Sequence, residues 1–238
     1  MVREVTFFMT GLIWYGTDFR CKETRIMGLP MLAVTLPEKE GLRQRLFSRR
    51  AAQLMGRRGI RACVFPADFP QKALFQRKGV LPVDRRPLLR EKAGQWVLAE
   101  RQVRGLTGSV AVAAERVTGE AAQAVEILLK RVGRVELLLA PGAEELQRRL
   151  RWETGAPLRL VTEEQLKRNE TLLNFSPRPE RGQALTLCPE EPGNIPRFLL
   201  PRQWAEELPA GIEEDDFCVL LRRYGRLTAG EIGVKSRK

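Results

Sequence analysis

The sequence predicts an α/β fold in which a parallel sheet is covered by helices, and the clearest part of the pattern lies in residues 108–177. Short apolar runs of small and β-branched residues alternate there with amphipathic segments, and glycines follow two of the helical segments. A strand–helix–strand connection places its two strands parallel in one sheet. The alternation therefore predicts four parallel strands with helices on both faces.

This stretch contains four strands and three helices in alternation. The predicted strands are Val110–Ala114, Val135–Ala140, Leu158–Val161 and Thr171–Phe175. The predicted helices are Glu120–Val132, Ala143–Thr154 and Glu163–Arg168. In the first helix the apolar residues recur at helical spacing, which indicates one buried face. Gly133 supplies the left-handed residue at which many helices end, and Gly155 follows the second helix.

The order and spacing of these elements resemble the Rossmann-like, nucleotide-binding half of the glutamyl-tRNA reductase and shikimate dehydrogenase group. The resemblance covers the whole stretch and implies a Gly-rich turn after the first strand, a ribose-reading residue after the second and a small polar loop after the fourth. Here the first turn keeps only one glycine of a G-x-G-x-x-G pattern. The cofactor-binding residues that the resemblance implies are Arg116, Thr118, Gly119, Asn174 and Ser176.

Charged side chains in the first turn oppose a bound dinucleotide. Glu115 and Glu120 place carboxylates where the pyrophosphate lies in such folds, and Arg116 offsets one of them. The second strand ends in Ala140–Gly142, which provides neither an acid for a ribose hydroxyl nor an arginine for a 2′-phosphate. We expect a degenerate site that does not bind NAD or NADP tightly.

The composition indicates an anionic partner. The 238 residues carry 41 Lys and Arg against 29 Asp and Glu, a net charge of +12, and 32 of the basic residues are arginine. Arginine binds phosphate and carboxylate through a planar fork, so a nucleotide or a nucleic acid is the indicated partner. The alternative is that the charges are spread over solvated faces.

Two absences in the composition exclude several chemistries. The chain has no histidine, which removes Ser-His and Cys-His nucleophile pairs and histidine metal ligands. Its four cysteines form no C-x-x-C pair, so we expect no metal site. Cys63 and Cys188 lie in apolar runs and are interpreted as core residues. Isolated cysteines in a basic chain are typical of the reducing cytoplasm.

A predicted helix over residues 40–58 carries the first arginine-rich face. Arg43, Arg50 and Arg57 repeat every seven residues on it, away from an apolar inward face. Such a row suits the phosphate backbone of a nucleic acid. A solvated face without a partner is the alternative.

The predicted helix Ala143–Thr154 carries a second candidate contact. Trp152 projects away from its apolar face, with Arg148 and Arg151 beside it. An exposed indole between arginines can stack on a base while the guanidinium groups bind phosphate or carboxylate. Alternatively, Trp152 folds beneath the Gly155 turn as an edge-of-core residue.

Residues 1–26 differ in composition from the lobe that comes after them. Their run Val5–Tyr15 is apolar and aromatic but too short to span a bilayer, and no small-residue cleavage site comes after it. An edge strand and a membrane-surface segment are two interpretations. We expect the third, a dispensable extension outside the core, ahead of a start at Met27 or Met31.

The remaining chain divides into three ranges. Residues 27–106 are expected to form an N-terminal α/β lobe with strands Met31–Leu36 and Ala62–Phe65. Residues 107–177 form the Rossmann-like lobe, and residues 178–238 add strands and a helix that complete the sheet. One continuous sheet and two separate sheets are both consistent with this pattern.

Three functions from different classes fit these observations. A non-catalytic binding or regulatory module on a degenerate Rossmann-like scaffold explains the missing fingerprint. An NAD(P)- or nucleotide-dependent enzyme would use an atypical site built from Asp68, Glu115, Asn174 and Ser176, with proton transfer by a carboxylate, Lys or Tyr. A nucleic-acid-binding protein would use the arginine-rich helix faces.

Overall fold

A computed structural model describes residues 9–39, 41–166, 171–176, 184–186, 196–209 and 211–236. Its first elements are β1 (Thr10–Gly16), β2 (Arg20–Ile26), β3 (Leu29–Pro37), α1 (Leu42–Arg57), β4 (Ala62–Val64), α2 (Lys72–Gln76) and β5 (Leu81–Pro82). The next are α3 (Arg86–Glu91), α4 (Ala93–Arg104), β6 (Val110–Ala113), α5 (Gly119–Leu129), β7 (Val135–Leu138), α6 (Ala143–Thr154), β8 (Leu158–Val161), α7 (Glu163–Leu166) and β9 (Thr171–Asn174). The last are β10 (Ala184–Thr186), β11 (Arg197–Leu199), α8 (Arg202–Ala205), α9 (Glu214–Arg223) and β12 (Gly233–Lys235).

The chain divides into two compact units, and each contains a five-stranded sheet. The first unit consists of Met1–Arg85 and Phe198–Gly233, and the second of Arg86–Arg197 and Val234–Lys238. The strand order is β2-β3-β1-β4-β5 in the first sheet and β10-β9-β6-β7-β8 in the second. β11 and β12 form a separate two-stranded sheet. The sequence was consistent with one continuous sheet or with two separate sheets, and the structure shows separate sheets.

The predicted fold class is confirmed. All strands of the second sheet run parallel, and β6 lies between β7 and β9. The first sheet is also parallel except for its edge strand β2. In α5 the apolar face predicted from helical spacing is buried, through Ala121, Ala124, Val125 and Leu128. Helices cover these sheets because strands buried on both faces need an apolar partner on each side.

The expectation that residues 1–26 lie outside the core is wrong for the described part of that segment. β1 is the central strand of the first sheet and pairs in parallel with β3 on one side and β4 on the other. Leu12 and Ile13 are completely buried. At Gly11 an added Cβ would lie 2.8 Å from the sulfur of Met55 in α1 and 2.9 Å from that of Cys63, so these side chains would have to shift to accept a larger residue. The described part of the apolar run, from Thr10 onward, is thus a strand with buried residues whose partners come later in the chain.

β2 joins this sheet through a tight hairpin. Met27 and Gly28 both have left-handed backbone angles, with φ of 52° and 75°. A two-residue hairpin turn of this kind matches the twist of antiparallel strands. The opposite edge of β2 faces solvent with charged side chains, which protects an open sheet edge against unwanted pairing.

Two predicted boundaries are also corrected. α3 and α4 belong to the second unit, although the N-terminal lobe was expected to run to residue 106. α4 packs on α5 so closely that a Cβ at Gly94 would lie 3.1 Å from the carbonyl oxygen of Ala124. Phe198–Gly233 belongs to the first unit, so the range 178–238 does not complete one single sheet. Among its described strands, β10 joins the second five-stranded sheet, whereas β11 and β12 pair with each other. Sequence proximity therefore did not decide which core each helix joins.

Lys92 separates the helices α3 and α4. Cys63 is buried as expected, whereas Cys188 lies outside the described residues. Within the described ranges no helix is long and apolar enough to cross a bilayer.

The acidic residues at the start of α9 form ion pairs with Arg85, the last residue of the segment Met1–Arg85 of the first unit. The guanidinium of Arg85 donates to Asp216 at 2.5 Å, to Asp215 at 2.9 Å and to Glu213 at 3.2 Å. Asp215 also accepts the backbone amide of Phe198 at 2.5 Å. Acids in the first turn of a helix interact favourably with the macrodipole. These acids also form an ion-pair cluster around Arg85.

Candidate functional site

The residues implied by the resemblance lie at one edge of the second sheet. The chain leaves β6 towards β7 and returns to pair β9 on the other side of β6, so the strand order reverses between β6 and β9. In doubly wound sheets ligands bind beyond the carboxyl ends of the strands at this reversal point, here called the switch point. The turn after β6 and the end of β9 hold Arg116, Thr118, Gly119, Asn174 and Ser176. Their binding role remains a prediction.

Hydrogen bonds within the protein connect the two loops of the switch point. The amide of Glu115 donates to Ser176 Oγ at 2.6 Å. The amide of Ser176 donates to Asn174 Oδ1 at 3.1 Å, and Asn174 and Ser176 are both buried. Ser176 therefore holds the turn after β6, and Asn174 Oδ1 in turn holds the backbone of Ser176.

The turn that leads into α5 is closed in the same way. The amide of Val117 donates to the carbonyl of Pro141 at 3.1 Å. Thr118 caps α5, since its Oγ1 accepts the amide of Ala121 at 3.3 Å. A Cβ at Gly119 would meet no atom within 4 Å, so the one remaining glycine is not required by packing. Because amides that cradle a pyrophosphate must face the ligand, this turn offers fewer donors than a Gly-rich turn.

The charges at the switch point are mixed. Glu115 and Arg116 are exposed side by side, and Glu120 is half-buried in the first turn of α5. An acid at a helix N-terminus interacts favourably with the helix dipole. It also neutralises the partial positive charge that would otherwise attract a phosphate, so the site is poorly matched to a dinucleotide.

An open cavity of about 540 Å³ lies at the carboxyl end of β7. Its lining includes the exposed side chain of Leu139, the acidic pair Glu144 and Glu145 at the start of α6, and Arg148. The sequence analysis did not identify Leu139, Glu144 or Glu145 as candidate site residues. The pattern that could have indicated the two glutamates is a pair of acids in the first turn of a helix that follows a strand. Two carboxylates and one guanidinium suit a polar ligand with several hydrogen-bond donors better than they suit a pyrophosphate.

Trp152 on α6 is 92 % exposed, so the alternative that it folds beneath the Gly155 turn is wrong. Arg148 lies one helical turn before it on the same side, and Arg151 is adjacent; both are exposed. Arg149 by contrast pairs with Glu126 at 2.5 Å. The α6 surface therefore combines an exposed indole with charges of both signs.

Helix α1 exposes several arginines and no acidic side chain. Its 16 residues contain five arginines and no acidic residue. The five exposed arginines, here called the basic face of α1, are Arg43, Arg45, Arg49, Arg50 and Arg57. The opposite side of the helix is buried through Ala51, Ala52 and Met55, which matches the inward face predicted from spacing. The arginines are thereby fixed on the outside of the first unit.

Contacts with β2 and its preceding loop orient α1. The ring of Phe19 stacks on Phe47 with centroids 5.0 Å apart, and the guanidinium of Arg50 lies 5.3 Å above Phe19. Arg58, directly after the helix, pairs with Glu23 of β2. The arginines at positions 43, 45, 49 and 57 form no ion pair with an acid that the structure describes, so they are available to an external anion.

The residues of the enzyme interpretation belong to different units. Asp68 is exposed in the loop after β4 of the first unit, whereas Glu115, Asn174 and Ser176 belong to the second. Among the residues that the structure describes, no group of three or more His, Cys, Asp or Glu side chains is arranged to hold a metal ion. The contacts at the switch point are structural hydrogen bonds, and none pairs a nucleophile with a base.

Weak dinucleotide binding is the expected result at the switch point. NAD and NADP should bind with a dissociation constant above roughly 10 μM, that is, weaker than about −7 kcal/mol. The reason is that Glu115 and Glu120 crowd the phosphate position while Val117 already donates its amide to Pro141. Isothermal titration calorimetry measures this directly, and a dissociation constant at or below that value would contradict it.

Comparison of the sequence with family models and with curated proteins gives no match in either case.

Proposed function

We propose that this protein is a non-catalytic binding module on a degenerate Rossmann-like scaffold, and that it binds a polyanionic partner through the basic face of α1. The observation that carries the proposal is the concentration of five exposed arginines on one helix that has no acidic residue. Guanidinium groups bind phosphate, sulfate and carboxylate through paired hydrogen bonds. A row of them along 16 residues suits a partner with repeated negative charges rather than one small anion.

Two further features support binding rather than catalysis. The chain lacks histidine, the side chain that most often transfers protons near neutral pH. The polar groups of the switch point are engaged with one another, as the Glu115–Ser176 and Ser176–Asn174 hydrogen bonds illustrate. An enzyme at this edge would have to break those bonds before using the same groups on a substrate.

Charge reversal on α1 tests the proposal. The variant Arg43→Glu, Arg49→Glu should bind a heparin column about tenfold more weakly than the wild type at about 0.15 M salt, because two attractions become repulsions. Both side chains are exposed, so circular dichroism and the melting temperature should stay the same.

A matched control separates the basic face of α1 from the overall charge. The variant Arg148→Glu, Arg151→Glu changes the net charge equally, but on the α6 surface beside Trp152. It should retain most of the heparin affinity, because acids lie among those arginines. If both variants lose the same heparin affinity, the binding depends on overall charge and not on the basic face of α1. If only the α6 variant loses heparin affinity, the binding surface lies on α6.

A further inference from the structure

Two leucines protrude from the N-terminal part of α1, between arginines of its basic face. The side chain of Leu42 is 81 % exposed and that of Leu46 is 61 % exposed. Single exposed apolar side chains are common on proteins. These two are four residues apart, however, and therefore adjacent on one side of the helix. They form a small apolar tip, and the binding of phosphate or sulfate by the arginines does not explain why apolar side chains are exposed there.

The arginines are distributed on both sides of this tip. At about 100° of rotation per residue, Arg45 and Arg49 lie on one flank of the two leucines, and Arg43 and Arg50 lie on the other. Arginine side chains are long enough to keep their guanidinium groups level with a charged layer while the helix surface between them approaches an apolar one. The arrangement is thus apolar at its centre and cationic at both sides.

We infer that this surface docks on an anionic lipid bilayer. Leu42 and Leu46 insert at the boundary between headgroups and acyl chains, and the flanking arginines bind the phosphate and carboxylate groups of the headgroups. This inference rests on the proposed function, since the same arginines supply the attraction, and it adds the chemical class of the partner. Insertion is shallow because the other side of α1 stays packed on the first sheet through Ala51 and Met55.

Other occupants explain the surface less well. The backbone of a nucleic acid attracts the arginines through its phosphates but offers no apolar layer to Leu42 and Leu46. A second copy of the chain would bring two identical basic faces together, which repel each other. A bilayer containing acidic lipids satisfies the leucines and the arginines at once.

Flotation with lipid vesicles tests the inference on the full chain. The wild type should float with vesicles of phosphatidylcholine containing about 30 mol% phosphatidylserine and not with pure phosphatidylcholine vesicles. The variant Leu42→Gln, Leu46→Gln should bind the anionic vesicles at least about tenfold more weakly. Its heparin affinity should equal that of the wild type, because every arginine is retained.

A second pair of apolar substitutions provides the control. Leu81 in β5 and Val103 in α4 are 53 % and 50 % exposed and lie outside α1. The variant Leu81→Gln, Val103→Gln should therefore leave vesicle binding unchanged. Vesicle binding that is equally strong in the Leu42→Gln, Leu46→Gln variant would overturn the insertion of the leucines. Heparin or nucleic-acid binding without vesicle binding would overturn the lipid partner while the proposed function stands. Loss of binding to every polyanion would overturn both.

Discussion

Deletion of residues 1–26 should prevent the first unit from folding. The deletion removes β2 and also β1, which is the only strand lying between β3 and β4 among the described residues. Leu12 and Ile13 would no longer fill the core, and β3 and β4 would each expose a row of unpaired backbone groups. Far-ultraviolet circular dichroism and hydrogen exchange of a chain that starts at Met27 would measure the loss. A cooperative unfolding transition with the midpoint of the full chain would contradict it.

A milder substitution tests the same strand if the shortened chain cannot be produced. Ile13→Ala should lower the free energy of unfolding by about 2–5 kcal/mol, because it leaves a cavity at a completely buried position. Asp18→Ala, in the exposed loop after β1, is the control and should change it by less than about 0.5 kcal/mol. Equal effects of the two substitutions in urea denaturation would place β1 outside the core.

Arg85→Leu should be the most destabilising replacement of a charged residue in the first unit. The guanidinium contacts Asp215 and Asp216, whose side chains are only 4 % and 9 % exposed. Breaking a buried pair by removing one partner costs about 3–5 kcal/mol, since the remaining charge stays in a poorly solvated place. We expect Arg85→Leu to lower the free energy of unfolding by about 3 kcal/mol, near the lower limit of that range, because 26 % of the Arg85 side chain is exposed to solvent.

The effect of Arg85→Leu should depend on pH. Burial raises the pKa of Asp216, and Arg85 acts in the opposite direction. A pKa that is higher in the folded state than in the unfolded state contributes stability below the unfolded value, and this contribution is lost as the pH rises through the folded value. Removing Arg85 raises the folded-state pKa of Asp216 further. In urea denaturation, the free energies of unfolding of the variant and the wild type should therefore differ less at about pH 4 than at about pH 7.

An exposed ion pair serves as the control for Arg85. Arg58 and Glu23 pair with side chains that are 43 % and 59 % exposed, so Arg58→Leu should cost less than about 1 kcal/mol. If Arg85→Leu were no more destabilising than Arg58→Leu, or if its effect were the same at both pH values, the acidic cluster at the start of α9 would not hold the first unit together.

The location of the candidate site could be predicted from the sequence, but the hydrogen bonds made by its polar groups could not. The positions of Arg116 and Ser176 after two neighbouring strands follow from strand order, because parallel strands end at a common edge. Whether their backbone and hydroxyl groups are free depends on contacts between loops. The hydrogen bond from the Glu115 amide to Ser176 Oγ joins residues 61 positions apart, and no local pattern indicates it.

The sequence by itself determined the parallel strands of the second sheet, the buried faces of α1 and α5, and the surplus of arginine. These follow from periodicity and composition, which act over a few neighbouring residues. Only the tertiary structure decided that β1 is a central strand, that Asp216 meets Arg85 across 131 residues, and that Leu42, Leu46 and Trp152 face solvent. An apolar or charged side chain has the same local pattern whether or not another segment covers it, and burial depends on which distant segment packs there.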